Sequence, residues 1–375
     1  MSLSAKKIII LENTFYTVLS LRMEILRDFR SQGHMIYVLS TGDEEDREKL
    51  NKEGFQAIDV GSVVMNPMKA LKFFMSLILE IKKINPEIIF SFTIRPNIFG
   101  SLVARILGIP IVSNVTGIGP LMEDKSLLYK LIRQLYKIAF NKNQKIFFQN
   151  KDDYSYFLEN HYVQKNQAKL LPGSGVDTQY YSPMEKENTE QPFTFLMISR
   201  LIKDKGVLEY VQAAENVKQI YPQIQFQILG PFWTQSTSKN TITRKEVDDW
   251  VSRGIIDYKG YTLDVRPFIA NADVVVLPSY REGCANVLMQ GASMAKPLIA
   301  SNVTGCNNLI EHEKSGFVFP VKDVEKLVDS LLRIFQLSEN ERRKMGEVGR
   351  QKMINEYQKK IVLDAYCEQL TMATK

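Results

Sequence analysis

Two stretches of the C-terminal half are the most informative in this chain: Ser199–Gly206 (SRLIKDKG) and Tyr280–Gln290 (YREGCANVLMQ). Each follows a β-rich apolar run and precedes sequence that favours a helix. A junction of this kind directs backbone N–H groups and basic side chains toward one point, which suits a phosphate group. Two such junctions in one half of the chain indicate a site for a nucleotide diphosphate that carries a further group.

Short β-branched runs alternate with longer amphipathic segments in the N-terminal half. The predicted strands are Lys7–Leu11, Met35–Leu39, Ile88–Ser91, Ile111–Asn114 and Lys145–Gln149. The predicted helices are Ser20–Gln32, Pro67–Ile84 and Asn97–Leu107. Helices of this length between apolar strands predict right-handed βαβ units and a parallel sheet.

A second series of the same kind follows a polar, proline-bounded stretch at residues 182–192, the predicted linker. Its predicted strands are Phe193–Ile198, Gln225–Leu229, Ile255–Tyr258, Val274–Leu277 and Leu298–Ala300. Its predicted helices are Gly206–Tyr221, Val287–Ala295, Asp323–Gln336 and a charged last segment, Glu339–Leu370. We therefore expect an α/β protein with two Rossmann-like domains, residues 1–185 and 186–354, that bind ligand beyond the carboxyl ends of their strands.

Composition excludes several classes of protein. The chain of 375 residues is 45% apolar and 24% charged, as expected of a soluble globular protein with two domains. No apolar run approaches the roughly 18 residues that span a bilayer, and Ile8–Leu11 is too short for a secretory signal. Three cysteines without paired spacing predict a reducing cytoplasm and argue against a disulfide or zinc framework. The net charge of +6 suits phosphates or an acidic membrane surface and is too small for a nucleic-acid binder.

Three side chains carry the expected chemistry. Arg200 offers a planar fork and Lys205 a point charge, a pair that can hold a diphosphate while negative charge builds on it. Glu282 stands at the mouth of the strand Val274–Leu277, where its carboxylate could accept hydrogen bonds from sugar hydroxyls. The alternatives are two solvated loop cations and a surface carboxylate beside a turn.

Five pieces of sequence match a known family when they are taken in this order and spacing. They are Gly33-His34, Pro172–Asp177 (PGSGVD), Ser199–Gly206, Leu277–Gly283 (LPSYREG) and Gly316–Pro320 (GFVFP). With them, nearly the whole chain resembles the retaining GT-B glycosyltransferases of family 4. That resemblance implies two Rossmann-like domains facing across a cleft, with a C-terminal helix, about residues 355–375, that crosses back to the N-terminal domain.

The resemblance also implies roles for the site residues. Arg200 and Lys205 would hold the donor diphosphate, and Glu282 would bind the transferred sugar. Donor contacts would come from the backbone around Gly283, Cys284 and Ala285 and from the helix start at Asn286, Val287 and Leu288. No metal or other cofactor is implied, because the two cations take the part of a divalent ion, and the expected chemistry is transfer with retention of configuration.

Two positions depart from the family pattern. The family's second Glu, which takes the donor ribose, is replaced by Gln290, so we expect weaker but intact ribose binding. Many members carry a His that touches the donor sugar where the candidate donor-binding residues Thr116 and Gly117 stand, and a backbone carbonyl or hydroxyl would have to replace it. This loop could also be only a turn that its glycines permit. The first βα turn lacks glycine, which argues against NAD or FAD.

The acceptor side of the expected site is less specific. The stretch Ser91–Asn97 (SFTIRPN) and the loop Thr116–Gly119 resemble the bacterial subgroup that extends undecaprenyl-diphosphate-linked sugars for capsule, O-antigen or glycoprotein glycans. Candidate acceptor residues are Asn13, Thr14, Arg95 and Gly119. A basic amphipathic helix carries Lys130, Arg133 and Lys137, which suits an anionic membrane surface or, alternatively, a solvated edge of a helix packed on the sheet.

The sequence therefore predicts a cytoplasmic glycosyltransferase, peripheral to the inner face of the cytoplasmic membrane, that uses a UDP-hexose or UDP-N-acetylhexosamine donor and a lipid-linked glycan acceptor. It would need no metal and bind no nucleic acid. One rival is a sugar-nucleotide epimerase of the same architecture, which would need histidines in the cleft; the three present, His34, His161 and His312, are scattered. The other rival is a non-catalytic protein that binds nucleotide sugars or glycans.

Overall fold

The computed structural model describes residues 5–61, 67–118, 126–186, 192–233 and 240–373. The chain divides into two compact units. The first comprises Met1–Ser174 with Ile361–Lys375, and the second comprises Gly175–Lys360. Each is described by itself below.

The first unit is built on a parallel sheet. Its strands are β1 (Lys7–Leu11), β2 (Met35–Ser40), β3 (Gln56–Asp59), β4 (Ile88–Phe92), β5 (Ile111–Val115), β6 (Lys145–Phe148) and β7 (Ala168–Leu170). Their order is β3-β2-β1-β4-β5-β6-β7 with every neighbouring pair parallel. The crossovers change direction between β1 and β4, which is where this class of sheet binds ligands.

Helices pack on both faces of this sheet, so its central strands β4 and β5 are buried along their whole length. The helices are α1 (Phe15–Leu21), α2 (Met23–Ser31), α3 (Glu44–Lys52), α4 (Pro67–Ile84), α5 (Ile94–Leu107), α6 (Leu127–Phe140) and α7 (Lys151–Glu159). In β1, Ile8, Ile9, Ile10 and Leu11 are all fully buried.

The last helix of the chain (Lys359–Met372, α14 in chain order) packs into the core of this first unit. The ring of Tyr366 lies 5.3 Å from those of both Phe90 and Phe147, and its hydroxyl donates to Asn114 Oδ1. The Lys6 ammonium donates to the carbonyl of Leu370. The prediction that the C-terminal helix returns to the N-terminal domain is therefore confirmed.

The second unit repeats the architecture with a smaller parallel sheet. Its strands are β8 (Thr194–Ile198), β9 (Gln225–Leu229), β10 (Asp257–Tyr258), β11 (Val274–Leu277), β12 (Leu298–Ser301) and β13 (Gly316–Phe319), in the order β10-β9-β8-β11-β12-β13. Its helices are α8 (Val207–Ile220), α9 (Arg244–Ser252), α10 (Arg266–Asn271), α11 (Asn286–Ser293), α12 (Val324–Gln336) and α13 (Glu339–Glu356). Short 3₁₀ turns lie at Lys203–Lys205 and Asn307–Leu309.

The structure moves the boundary between the units upstream of the predicted one. Residues 175–186 belong to the second unit, because Arg350 donates to the carbonyl of Thr178 at 3.3 Å and Ser293 to that of Tyr181 at 2.7 Å. Lys186 also forms an ion pair with Asp273 at 2.6 Å. The predicted linker, residues 182–192, therefore follows a stretch whose backbone carbonyls are held by side chains from distant helices.

Two helices predicted as continuous are interrupted. Helices α13 and α14 separate around Gln358, because the backbone there bridges to Val176: Val176 N donates to Tyr357 O at 2.8 Å and Lys359 N to Val176 O at 3.0 Å. The first predicted helix begins earlier, at Phe15, and breaks at Arg22, whose side chain turns inward.

Strands β3, β7 and β13 were not predicted; the first two are short and carry polar residues.

Close packing of α13 on the end of α11 gives a direct test of the second unit. A Cβ on Gly346 would lie 1.9 Å from the Ala295 carbonyl oxygen, whereas a Cβ on Gly349, one turn along the same helix, would meet its neighbours at 3.6 Å. We expect Gly346→Ala to lower the free energy of unfolding by about 1–3 kcal/mol, since the backbone must move. Gly349→Ala should be neutral or stabilising by about 0.5–1 kcal/mol, because alanine favours a helix.

Urea unfolding followed by tryptophan fluorescence measures this difference. Both tryptophans, Trp233 and Trp250, belong to the second unit, so the signal reports that unit. Equal stabilities of the two variants would contradict the packing of α13 described here.

Candidate functional site

The loops after β8 and β11 meet at the carboxyl edge of the second sheet. Lys205, at the end of the 3₁₀ turn, donates to Glu282 Oε1 at 2.6 Å, and the two side chains are only 16% and 14% exposed. The structure therefore brings together two of the three residues predicted to act on a donor. Their opposite charges also neutralise each other while no ligand separates them.

The backbone fixes this contact. Tyr280 N donates to Asp204 O at 2.8 Å, which ties the β11 loop to the turn that carries Lys205. Gly206 has φ of +75°, and a Cβ there would lie 2.1 Å from the Pro278 carbonyl oxygen. Only glycine permits that conformation and that approach together.

The loop after β12 holds Glu282 from its other side. Glu282 N donates to Thr304 O at 3.1 Å and Ala285 N to Gly305 O at 2.9 Å. Gly305, at φ of +80°, lies so near that a Cβ would be 2.5 Å from the Glu282 carbonyl oxygen. Glu282 is thus positioned by loops from two neighbouring strands, which sequence reasoning did not identify.

Arg200 lies in the same β8 loop and is half-buried. Its guanidinium carbon is 4.7 Å from the centre of the Trp233 ring. This cation–π contact supports the orientation of the guanidinium. Arg200 and Lys205 therefore share one loop, as expected. The Trp233 ring contacts Arg200, and the Glu282 carboxylate contacts Lys205.

The predicted donor residues form the junction into α11. Gly283 is half-buried, Cys284 and Ala285 are buried, and α11 begins at Asn286. Helix starts leave their first backbone amides without intrahelical partners, so the amides of Asn286 and Val287 belong to the class of group that binds phosphate. The Leu288 amide, also expected to contact the donor, instead donates to the Ala285 carbonyl at 3.0 Å.

Cys284 is not a nucleophile in this site. Burial, and to a lesser extent the nearby Glu282 charge, raises the pKa of the Cys284 thiol to about 12. Its sulfur lies 3.8 Å from that of Met289. The thiol is therefore neutral at physiological pH and packs as an apolar group.

Gln290, one turn into α11, is half-buried and already engaged through one end of its amide. Its Nε2 donates to the Tyr181 hydroxyl at 3.0 Å. The carbonyl oxygen Oε1 is consequently the atom that can accept from a ligand hydroxyl.

Tyr280 and Glu209 add a contact that sequence reasoning missed. The Tyr280 hydroxyl donates to Glu209 Oε1 at 2.6 Å, and Lys322 Nζ lies 4.4 Å from the centre of the Tyr280 ring. Burial and the Glu209 bond raise the pKa of Tyr280, so the phenol stays protonated and can donate. This bond joins the loop of Glu282 to α8, the helix that follows Lys205.

The remaining predicted residues lie at the carboxyl edge of the first sheet. Asn13 N donates to Glu12 Oε1 at 2.9 Å, and Thr14 caps α1 by accepting from Thr17 N at 3.1 Å. Thr116 and Gly117 follow β5 and are half-buried, and Arg95 is exposed in the first turn of α5. Gly119 lies outside the described residues.

A buried ion pair supports this edge. Arg22 Nε donates to Glu12 Oε2 at 3.2 Å with both side chains almost fully buried, and the guanidinium stacks 4.2 Å from the centre of the Phe92 ring. Arg22 also donates to Ser174 at 3.2 Å. The pair explains why the chain turns inward at Arg22 and fixes the loop that carries Asn13.

Thr93, directly after β4, is the strained residue of this edge. Its φ is +69°, a conformation that β-branched residues rarely adopt, and its buried hydroxyl oxygen has no hydrogen-bond partner within the described parts of the chain. Strain and an unsatisfied group together are typical of a ligand site. The sequence carries no signal for either.

Helix α6 displays the predicted basic residues unequally. Lys130 and Lys137 are exposed, and Arg133 is half-buried. Leu131 and Ile138 are exposed beside them. Among the described helices, none is both long and apolar enough to cross a bilayer.

Known structures share this fold over nearly the whole chain. A glycosyltransferase from Rickettsia africae superimposes with a TM-score of 0.80 at 19% identity, covering 100% of both chains. HepE from Anabaena, in complex with UDP and glucose, gives a TM-score of 0.80 at 15% identity, covering 98% of this chain and 100% of HepE. The likeness confirms the predicted GT-B fold.

Two relatives are similar in sequence. One is the N,N'-diacetylbacillosaminyl-diphospho-undecaprenol α-1,3-N-acetylgalactosaminyltransferase of Campylobacter jejuni, 24% identical over 83% of this chain and 84% of the relative. The other is the UDP-Gal:α-D-GlcNAc-diphosphoundecaprenol α-1,3-galactosyltransferase of Escherichia coli, 24% identical over 71% of each chain. Both act on sugars carried by undecaprenyl diphosphate, as their names state.

Family models match both parts of the chain. Residues 7–150 match the model described as glycosyl transferase 4-like, and residues 192–336 match the model described as glycosyl transferases group 1. Together these models span most of the chain, which therefore belongs to the glycosyltransferases, with a 4-like N-terminal part and a group 1 C-terminal part.

Proposed function

We propose that this glycosyltransferase moves a hexose or N-acetylhexosamine from a UDP-sugar to a lipid-linked glycan, with retention of configuration and without a metal. The observation that carries the proposal is the Lys205–Glu282 contact of 2.6 Å at the mouth of the second sheet. A cation and a carboxylate held side by side can bind the two halves of a nucleotide sugar, the diphosphate and the hexose hydroxyls.

Donor binding would separate the pair. The diphosphate attracts Lys205, and Glu282 then accepts hydrogen bonds from sugar hydroxyls in place of the ammonium. As the glycosidic bond breaks, negative charge grows on the leaving diphosphate. Lys205, Arg200 and the first amides of α11 would stabilise that charge, which is the main contribution we assign to the protein.

The acceptor would lie at the carboxyl edge of the first sheet. Asn13 follows β1 and Arg95 lies in the first turn of α5, after β4, so both stand at the point where the crossovers change direction. The names of the two relatives support an acceptor joined to undecaprenyl diphosphate. Such an acceptor resides in a membrane, and Lys130 and Lys137 on α6 are exposed toward solvent where anionic headgroups could reach them.

An epimerase of this fold has less support. Two of the three histidines accept backbone hydrogen bonds: His34 from Lys6 N at 3.2 Å and His312 from Val318 N at 3.1 Å. Burial lowers the pKa of His34, which favours its neutral form. These contacts assign both rings a structural role.

Thermal unfolding of the metal-free protein tests the donor site. We expect one UDP-sugar, added in EDTA, to stabilise the protein by about 2.7 kcal/mol at a hundred times its dissociation constant. Lys205→Ala should abolish that shift, because the diphosphate loses its point charge. Lys203→Ala, in the same 3₁₀ turn, is the matched control and should keep it.

Acceptor-dependent release of UDP then separates a transferase from a binding protein. Stabilisation without release in the presence of undecaprenyl-diphosphate-linked sugars would favour the binding protein. No response to any nucleotide sugar, or equal responses of the two lysine variants, would contradict the proposed donor site.

Gln290→Glu tests the ribose contact. A carboxylate accepts a stronger, charge-assisted bond from a ribose hydroxyl, and the Tyr181 hydroxyl can donate to it in place of accepting from the amide. We expect the dissociation constant of UDP to fall about tenfold, as about 1.4 kcal/mol requires. Calorimetric titration of UDP measures the change, and Gln290→Leu should move it the opposite way. An unchanged constant in both variants would remove Gln290 from the donor site.

A further inference from the structure

We propose that the outer face of α4 is a lipid-binding surface that enters the headgroup region of an anionic membrane, and that α6 contributes charge beside it. The outer face means Leu71, Met75 and Leu79 with Met68 at the helix start. These side chains are 60%, 48%, 63% and 76% exposed. The inference rests on the proposed function, because a lipid-linked acceptor requires an enzyme at a membrane.

Helix α4 is apolar on both of its sides. Its inner side buries Phe73, Leu77 and Ile81 against the first sheet. The outer face has apolar residues three and four positions apart, so they form one stripe along the helix, about 16 Å from Met68 to Leu79. A helix on the surface of a globular domain normally presents polar residues there, and an apolar stripe marks an interaction site.

Charge identifies the partner. Lysines flank the stripe at both ends, Lys69 and Lys72 at the start and Lys82 and Lys83 at the end. The only acidic residue of α4, Glu80, lies 3.9 Å from Lys83. Apolar side chains framed by cations fit an anionic bilayer, where the stripe meets acyl chains and the lysines meet headgroups.

The same charges disfavour a second copy of this chain as the partner. Because both ends of the stripe are basic, two α4 faces would place lysine against lysine whether the helices ran parallel or antiparallel. Like charges set against each other suppress such a pairing.

Neighbouring helices extend the surface. Helix α4 packs beside α5, and α5 packs beside α6. Helix α6 presents Leu131 and Ile138, both more than half exposed, together with the exposed Lys130 and Lys137. The basic helix predicted from the sequence thus becomes one edge of a layer to which α4 contributes the exposed apolar stripe.

Cosedimentation with vesicles tests the proposal. The full-length protein should bind phosphatidylcholine vesicles that contain phosphatidylglycerol and should bind pure phosphatidylcholine weakly. The double variant Leu71→Gln/Leu79→Gln should lower the affinity for anionic vesicles at least about tenfold, because each glutamine removes an apolar side chain from the contact. Lys82→Gln/Lys83→Gln should weaken binding at low salt and make it less sensitive to salt.

The matched control is Ile220→Gln/Leu263→Gln in the second unit. Those residues are 60% and 66% exposed, so the two double variants remove equally exposed apolar groups. The control should bind vesicles as the wild type does. Equal loss in both double variants, or no loss in the α4 variant, would overturn the proposal.

Two further readouts keep the outcomes distinct. The α4 variant should retain its thermal stabilisation by the UDP-sugar, which shows that it is folded and that the donor site is intact. Loss of vesicle binding with the donor response kept supports the lipid surface, whereas a wild type without donor response contradicts the proposed function itself. A vesicle-free dimer that the α4 variant dissociates would assign the stripe to a second copy and overturn the lipid assignment.

Discussion

The candidate donor site depends on one ion pair, Lys205 with Glu282. Both side chains are largely buried, so the pair gains from reduced screening and would leave a costly unpaired charge if either partner were lost. A donor that carries both a diphosphate and hydroxyl groups can satisfy both partners, since the diphosphate takes the place of Glu282 beside Lys205 and the hydroxyls take the place of Lys205 beside Glu282. The ion pair therefore holds both side chains in place while no donor is bound. A ligand that offers only phosphate gives Lys205 a new partner but leaves Glu282 without one.

Three loops of the second sheet cooperate to hold that pair. Gly206 lets the Lys205 turn approach the end of β11, and Gly305 lets the β12 loop approach Glu282. Tyr280 adds a side-chain bond to Glu209 on α8. Because these contacts join neighbouring strands at one edge, the parallel sheet itself determines where the charges meet, and the first sheet uses the Glu12–Arg22 pair in a similar way.

The local sequence pattern predicted those strands whose bounds depend on neighbouring residues alone. Strands β1, β9 and β11 have the predicted bounds because their apolar runs are short and sharply ended. The breaks at Arg22 and Gln358 escaped prediction, since each involves a partner far away in the chain, Ser174 for Arg22 and Val176 for Gln358. The strain at Thr93 escaped because nothing in the local sequence signals a positive φ at a β-branched residue. The outward face of α4 could not be recognised because a helix with apolar residues on two sides does not reveal which side is buried.

Calorimetric titration of Glu282→Gln with UDP and with the preferred UDP-sugar tests whether Glu282 binds the sugar while Lys205 binds the diphosphate. Glutamine keeps the shape of the side chain but releases Lys205 from its ion pair. We predict that UDP binds as tightly as before or more tightly, while the additional affinity that the sugar provides is lost. If both ligands bound the variant as they bind the wild type, or if both lost affinity equally, Glu282 would not act on the sugar and the account of the site would be wrong.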